Sequence, residues 1–199
     1  MTTKHYSAAE TAQIIRTCLK EAFAGIKFSV TSKTYSGGAT VNVRWTDGPN
    51  AAQVEAIARR FAGSYFDGGI DYKGSVHHMF DGQPVRFGAD HVFCTREYSN
   101  GAVERAIARF ARRFASNLWV DGVEVPTVEQ YRSGELRAVR LSGLFDAVDF
   151  EIRAILAKSS DRMGVKSKTA ARFFITHDDG YGRSCGTGSG AVGLAAVQG

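Results

Sequence analysis

TSKTYSGGATVNVRWTDGP, residues 31–49, carries alternating polar and apolar residues on both sides of the break Tyr35-Ser36-Gly37-Gly38. Just before it, Phe28 and Val30 point one way while Ser29 and Thr31 point the other. After it, Val41, Val43 and Trp45 alternate with Thr40, Asn42 and Arg44, and a period of two is the mark of a strand. Two consecutive glycines supply the positive φ angles a hairpin connection needs, so the break reads as a turn in preference to a ligand-gripping loop. Thr46-Asp47-Gly48-Pro49 reads as a second turn. A hairpin of this kind buries one face and leaves Ser29, Thr31, Lys33, Thr40, Asn42 and Arg44 on the other. That face is either an ordinary solvated sheet surface or a place for a partner.

The flanking segments are helical. Ser7-Ala8-Ala9-Glu10 has capping-box spacing, and Ile14, Ile15, Cys18, Leu19, Ala22 and Phe23 recur at three- and four-residue intervals up to Gly25, which predicts a helix over about 8–24. Asn50-Ala51-Ala52-Gln53 repeats the box before Val54, Ile57, Ala58 and Phe61, predicting a helix over about 51–62. GSYFDGGIDYKGS reads as a glycine-rich connection with a short strand at residues 70–73, and PVRFGADHVFCTREYS (84–99) has a β-rich centre around residues 91–97. The economical assembly is α+β, an antiparallel sheet of three to four strands with helices packed on one face.

The segments HYSAAETAQIIRTCLKEAF, FSVTSKTYSGGATVNVRWTDGP, VEAIARRFAGSYFDGGIDYK and VRFGADHVFCTREYS together resemble the large polyvalent protein-associated domain number 29. The resemblance spans about residues 4–98, with YSGG, WTDGP, FDG and FGAD in order. It implies a setting in bacteriophages and conjugative elements, whose polyvalent proteins accompany invading DNA and blunt host defences. It brings no catalytic residues with it.

Ser99 would cap a third helix over about 100–118, with Val103, Ile107, Phe110, Phe114 and Leu118 on one side and Arg105, Arg109, Arg112 and Arg113 on the other. Glu104 is its one acid. Such a face suits phosphates or an acidic protein surface, although it also suits plain solvent. Residues 121–140 read as a loop and a short helix. Leu144, Phe145, Val148, Ile152, Ile155 and Leu156 predict a helix over about 143–157, followed by a basic connector (Lys158, Arg162, Lys166, Lys168) and a strand over 171–176. The element order is thus α-β-β-α-β-α-α-β. Residues 1–98 read as the α+β domain, and residues 99–199 as a helical extension with a terminal strand and glycine-rich tail, packed on the first part as one globule.

Chemistry is sparse. Gly188-Ser189-Gly190-Ala191-Val192-Gly193 spells G-x-G-x-x-G, but the second parallel strand and the acidic ribose partner that a dinucleotide site needs do not follow. No G-x-S-x-G elbow occurs. His77 and His78 are adjacent and point apart in regular structure, His91 and Cys94 face opposite sides of a strand, and His177-Asp178-Asp179 is first a turn signal, so no metal site is expected. No cofactor and no catalytic residue are expected either.

The 199 residues, 44% of them hydrophobic, suffice for a core, and the formal charge of +5 with a pI of about 9.2 favours acidic partners. Cys18, Cys94 and Cys185 are odd in number and widely spaced, and the start MTTKHYSAAE has no apolar signal core. These point to the reducing cytoplasm of a bacterial host, with no membrane association. The expectation is a non-enzymatic accessory protein that counters host defence by binding a CRISPR or restriction complex, with Arg105, Arg109, Arg112, Arg113, Lys33, Asn42 and Arg44 as partner-binding residues. The alternative is a DNA- or RNA-binding protein that escorts entering DNA through the same arginines.

Overall fold

The computed structural model describes residues 2–179, and the G-x-G-x-x-G stretch and Cys185 lie outside them. The fold class is α+β, as expected. The chain divides into two compact units, one of Met1–Val43, Val54–Cys94 and the segment from Val165 on, the other of Arg44–Gln53 and Thr95–Gly164.

In the first unit, β1 (Lys4–Tyr6) leads into α1 (Ala8–Ala22). The capping box forms as the spacing predicts: the Ser7 hydroxyl accepts from Glu10 N at 3.2 Å and the Glu10 carboxylate accepts from Ser7 N at 2.7 Å. Ile15, Cys18, Leu19 and Phe23 are buried, so the apolar stripe of α1 is its core face. β2 (Ser29–Tyr35) and β3 (Gly38–Thr46) are separated by two residues, which settles the YSGG break as a turn. Gly38 has φ +151°, and a Cβ there would overlap Asp90 Oδ2, the atom that accepts from Ala39 N at 3.1 Å. That glycine is demanded by close packing as well as by the turn. With β7 (His91–Glu97), these strands form a three-stranded sheet in the order β2-β3-β7.

A second, five-stranded sheet was not expected. It comprises β1, β4 (Ser64–Asp67), β5 (Tyr72–Phe80), β6 (Gln83–Phe87) and β8 (Phe173–Asp178), in the order β1-β6-β5-β4 with β8 also on β5. The short strand expected at 70–73 is instead a turn through residue 71 and the beginning of a nine-residue strand. β1 and β6 pair in parallel, so neither sheet count nor pure antiparallel order matches the expectation. β5 and β6 are joined by Asp81 (φ +47°) and Gly82 (φ +78°), the two positive φ angles of a type I′ hairpin. The core beneath this sheet is aromatic: Phe173 lies with its ring centroid 4.4 Å from that of Phe80 and 5.2 Å from that of Phe61, which is 5.3 Å from Phe87. α2 (Ala51–Ala58) supplies Val54 and Ala58 as buried residues.

The second unit is mostly helical. The third expected helix is two helices, α3 (Asn100–Arg113) and α4 (Ala115–Asp121), because the chain bends at Phe114 (φ −113°, ψ +26°). The bend lets Phe110 and Leu118 both enter one core with Ile107, Leu136, Ile152 and Leu156. α5 (Val128–Ser133) follows, and α6 (Val148–Lys158) begins five residues later than the pattern suggested. The delay has a cause in residues 140–147. Asp121 accepts from both the backbone N and the hydroxyl of Ser142 at 2.6 Å, and Gly143 has φ +81°, so the segment is held as a loop that leaves Phe145 94% exposed. Arg96 closes the unit. Its guanidinium donates to four backbone carbonyls, of Asp47 (3.0 Å), Gly48 (3.0 Å), Leu156 (3.2 Å) and Ser159 (2.7 Å).

Candidate functional site

The helix α3 begins at Ser99, whose hydroxyl accepts from Ala102 N at 3.2 Å, and buries Ala102, Val103, Ala106, Ile107 and Phe110. Its opposite face carries the arginines. Arg105, Arg109 and Arg112 recur at four and three residues, which puts them on one side of the helix over about 10 Å of its axis. All three are exposed, and among the described residues none makes a hydrogen bond or ion pair. Arg113 is also exposed, but its guanidinium lies 5.0 Å over the ring of Phe114. Arg112 and Arg113 occupy the last turn, where a positive charge also complements the helix dipole. The next helix exposes Trp119 at 84% and Val120 at 66%.

The other expected contact residues are placed separately. Lys33 on β2 and Arg44 on β3 are exposed, and Asn42 on β3 is half-buried. In β3 they alternate with the buried Val41, Val43 and Trp45, as the two-residue period requires. Lys33 and Asn42 belong to the first unit, whereas Arg44 and the α3 arginines belong to the second.

Burial pushes the Cys18 thiol up to about 11 and the Cys94 thiol to about 12, so neither is an activated thiolate. Among the described residues no group of three or more His, Cys, Asp or Glu is arranged to hold a metal ion. His77 and His78 do point to opposite faces of β5. His78 is buried, its Nε2 donates to the Arg60 carbonyl at 2.9 Å, and burial pulls it down to about 4. His77, however, stacks on His177 across the sheet, with ring centroids 4.3 Å apart. That neighbourhood was missed from sequence because the two residues are separated by 100 positions and meet only through the β5–β8 pairing. The carboxylate expected near His177 is otherwise engaged: Asp179 accepts from Tyr65 Oη (2.7 Å), Tyr72 Oη (3.2 Å) and Ser75 N (3.0 Å), and these bonds, the backbone one foremost, hold it below the ordinary carboxylate range.

The family model of the large polyvalent protein associated domain 29 matches residues 6–99. This is the family that the YSGG, WTDGP, FDG and FGAD motifs resemble, and the match covers just under half of the chain. No curated protein and no solved structure matches the chain. Among the described residues no helix is long and apolar enough to cross a membrane.

Proposed function

With residues 6–99 matching that phage and mobile-element family as the premise, we propose that the chain is an accessory protein that counters host defence by binding, blocking a complex such as a CRISPR or restriction assembly. The observation that carries the reading is the set of exposed guanidiniums on α3, three of them without a protein partner among the described residues. Arginine and tryptophan dominate the energetics of protein interfaces, and α4 exposes Trp119 immediately after the arginine helix. A second reading, a nucleic-acid binder, is favoured by the same guanidiniums, whose forked donors match phosphate oxygens.

One experiment separates these readings. The tagged chain and its Arg105→Glu/Arg109→Glu/Arg112→Glu variant are used to capture partners from bacterial lysate, with and without nuclease. The variant should melt where the parent does, since the apolar face of α3 is untouched. A stoichiometric defence protein that survives nuclease and disappears with the variant supports the first reading. Material that nuclease removes, and whose binding to purified DNA or RNA falls steeply with salt, supports the second. Capture unchanged by the triple charge reversal defeats both.

A further inference from the structure

Four strands of the five-stranded sheet carry a row of one guanidinium and three imidazoles across its outer face. His5 of β1 is in register with Arg86 of β6. Arg86 follows the Val85 that pairs with His78, donates to the Ser75 hydroxyl of β5 at 2.9 Å, and lines one cavity with His77 of the same strand. His77 pairs with His177 of β8, and their rings are 7° from parallel. Neighbours directly across a sheet share a face, and the inward face is taken by the buried Val85, Phe87 and His78. At about 4.8 Å per strand, the row runs for about 14 Å. Thr3, Met79, Pro84 and Thr176 help to complete a cavity of about 420 Å³ over it, and none of the lining residues is acidic.

The arrangement selects its ligand by charge and shape. A transition metal would sit in the plane of each ring about 2 Å from nitrogen, and two stacked parallel rings direct their lone pairs side by side, so they do not converge on one ion. An anion fits better. Arg86 spends one donor on the Ser75 hydroxyl at 2.9 Å, which leaves the rest of its fork for a ligand. The imidazole N–H groups and the Thr3 hydroxyl add neutral donors, while the Thr176 hydroxyl donates to the His77 carbonyl at 3.2 Å. The stacked ring faces also suit a flat base. We propose that this row is a binding site for a phosphate ester, a nucleotide or a short single-stranded nucleic acid.

The groups that face the row from the packed elements are His5 of β1, Arg86 of β6, His77 of β5 and His177 of β8. The nearby carboxylates are Asp178, in register with Val76, and Asp179, held by Tyr65, Tyr72 and Ser75. Lys73 is paired with Asp90 at 2.9 Å.

The test is isothermal titration of the full chain with inorganic phosphate, an adenine mononucleotide and a short oligothymidine. Binding should weaken roughly tenfold in Arg86→Gln or His77→Gln, the loss expected for one charge-assisted hydrogen bond. It should persist in the triple charge-reversal variant of α3, which keeps this site distinct from the arginine helix. An oligonucleotide bound tighter than the mononucleotide identifies nucleic acid as the source, a mononucleotide bound as tightly identifies a nucleotide, and equal affinity for phosphate alone reduces the site to inorganic phosphate; all three support the row as a phosphate site. If Arg86→Gln does not fold, the exposed His5→Gln and His177→Gln carry the comparison. No binding of any of the three at millimolar concentration, binding indifferent to every substitution in the row, or binding lost with the α3 variant overturns the inference.

Discussion

Arg96 shows how much a single side chain can hold. Its four backbone acceptors come from the turn at residues 47–48 and the C-terminal end of α6, and two of them, Gly48 and Leu156, also accept from Asp161 N and Ser159 N. The planar fork reaches all four at once, which an ammonium on a flexible stem does not. Arg96→Ala should therefore cost about 3 kcal/mol in urea unfolding, the scale of one or two charge-assisted hydrogen bonds. Arg96→Lys should recover less than half of that loss. Recovery close to wild type would show that charge matters there and geometry does not. Glu21 plays a smaller role of the same kind in the first unit, accepting from the Ser167 hydroxyl at 2.7 Å and from Thr169 N at 2.9 Å. The backbone bond from Thr169, more than any other cause, keeps its carboxyl below the ordinary range.

At the scale of elements, the β5–β6 hairpin depends on its two-residue turn. Asp81 and Gly82 both sit at positive φ, and Arg172 pairs with the Asp81 carboxylate from the far side of β5. A β-branched residue is strained in that backbone region, so Gly82→Val should lower stability by about 1–3 kcal/mol, with exchange-protection loss concentrated in β5 and β6. Uniform loss across the unit would assign the turn no special part. The Asp-Gly pair is a hairpin signal plain in the sequence, yet the strands around it were not legible. β5 mixes Lys73, Gly74, Ser75 and two histidines with few apolar residues, so it shows no clean alternation, whereas β3 alternates strictly and was legible throughout. Helix α3 was legible for the same reason, its two faces differing sharply in polarity. Its end was not, because the bend at Phe114 answers to a core assembled from α5, α6 and the 134–141 segment, which local periodicity does not record. The arginine face was therefore readable in advance, while the histidine row, built from four strands spread over 170 residues, was not.

For the whole molecule, the family-matched segment and the folded unit do not coincide. Residues 6–99 hold β4, β5, β6 and most of the first core, but Phe173 and the strand β8 come from beyond residue 165. Phe173 touches the rings of Phe61, Phe80 and Phe87, so its removal takes the centre out of the aromatic cluster. A fragment of residues 6–99 should show poor amide dispersion in NMR spectra, and adding a peptide of residues 165–179 should restore it. A well-dispersed spectrum from the fragment alone would make β8 an accessory to a core that is already complete.

The late arrival of β8 also has a consequence during synthesis. Roughly ninety residues separate β5 from its last partner, and at ribosomal speeds of about 5–20 residues per second the edge of β5 stands open for roughly 5–20 s. An unpaired edge of five residues, Val76 to Phe80, is a template for a neighbouring nascent chain. Closely spaced ribosomes on one message would thus carry chains able to trade strands before either is finished, and slower elongation between codons 80 and 173 would lengthen that window.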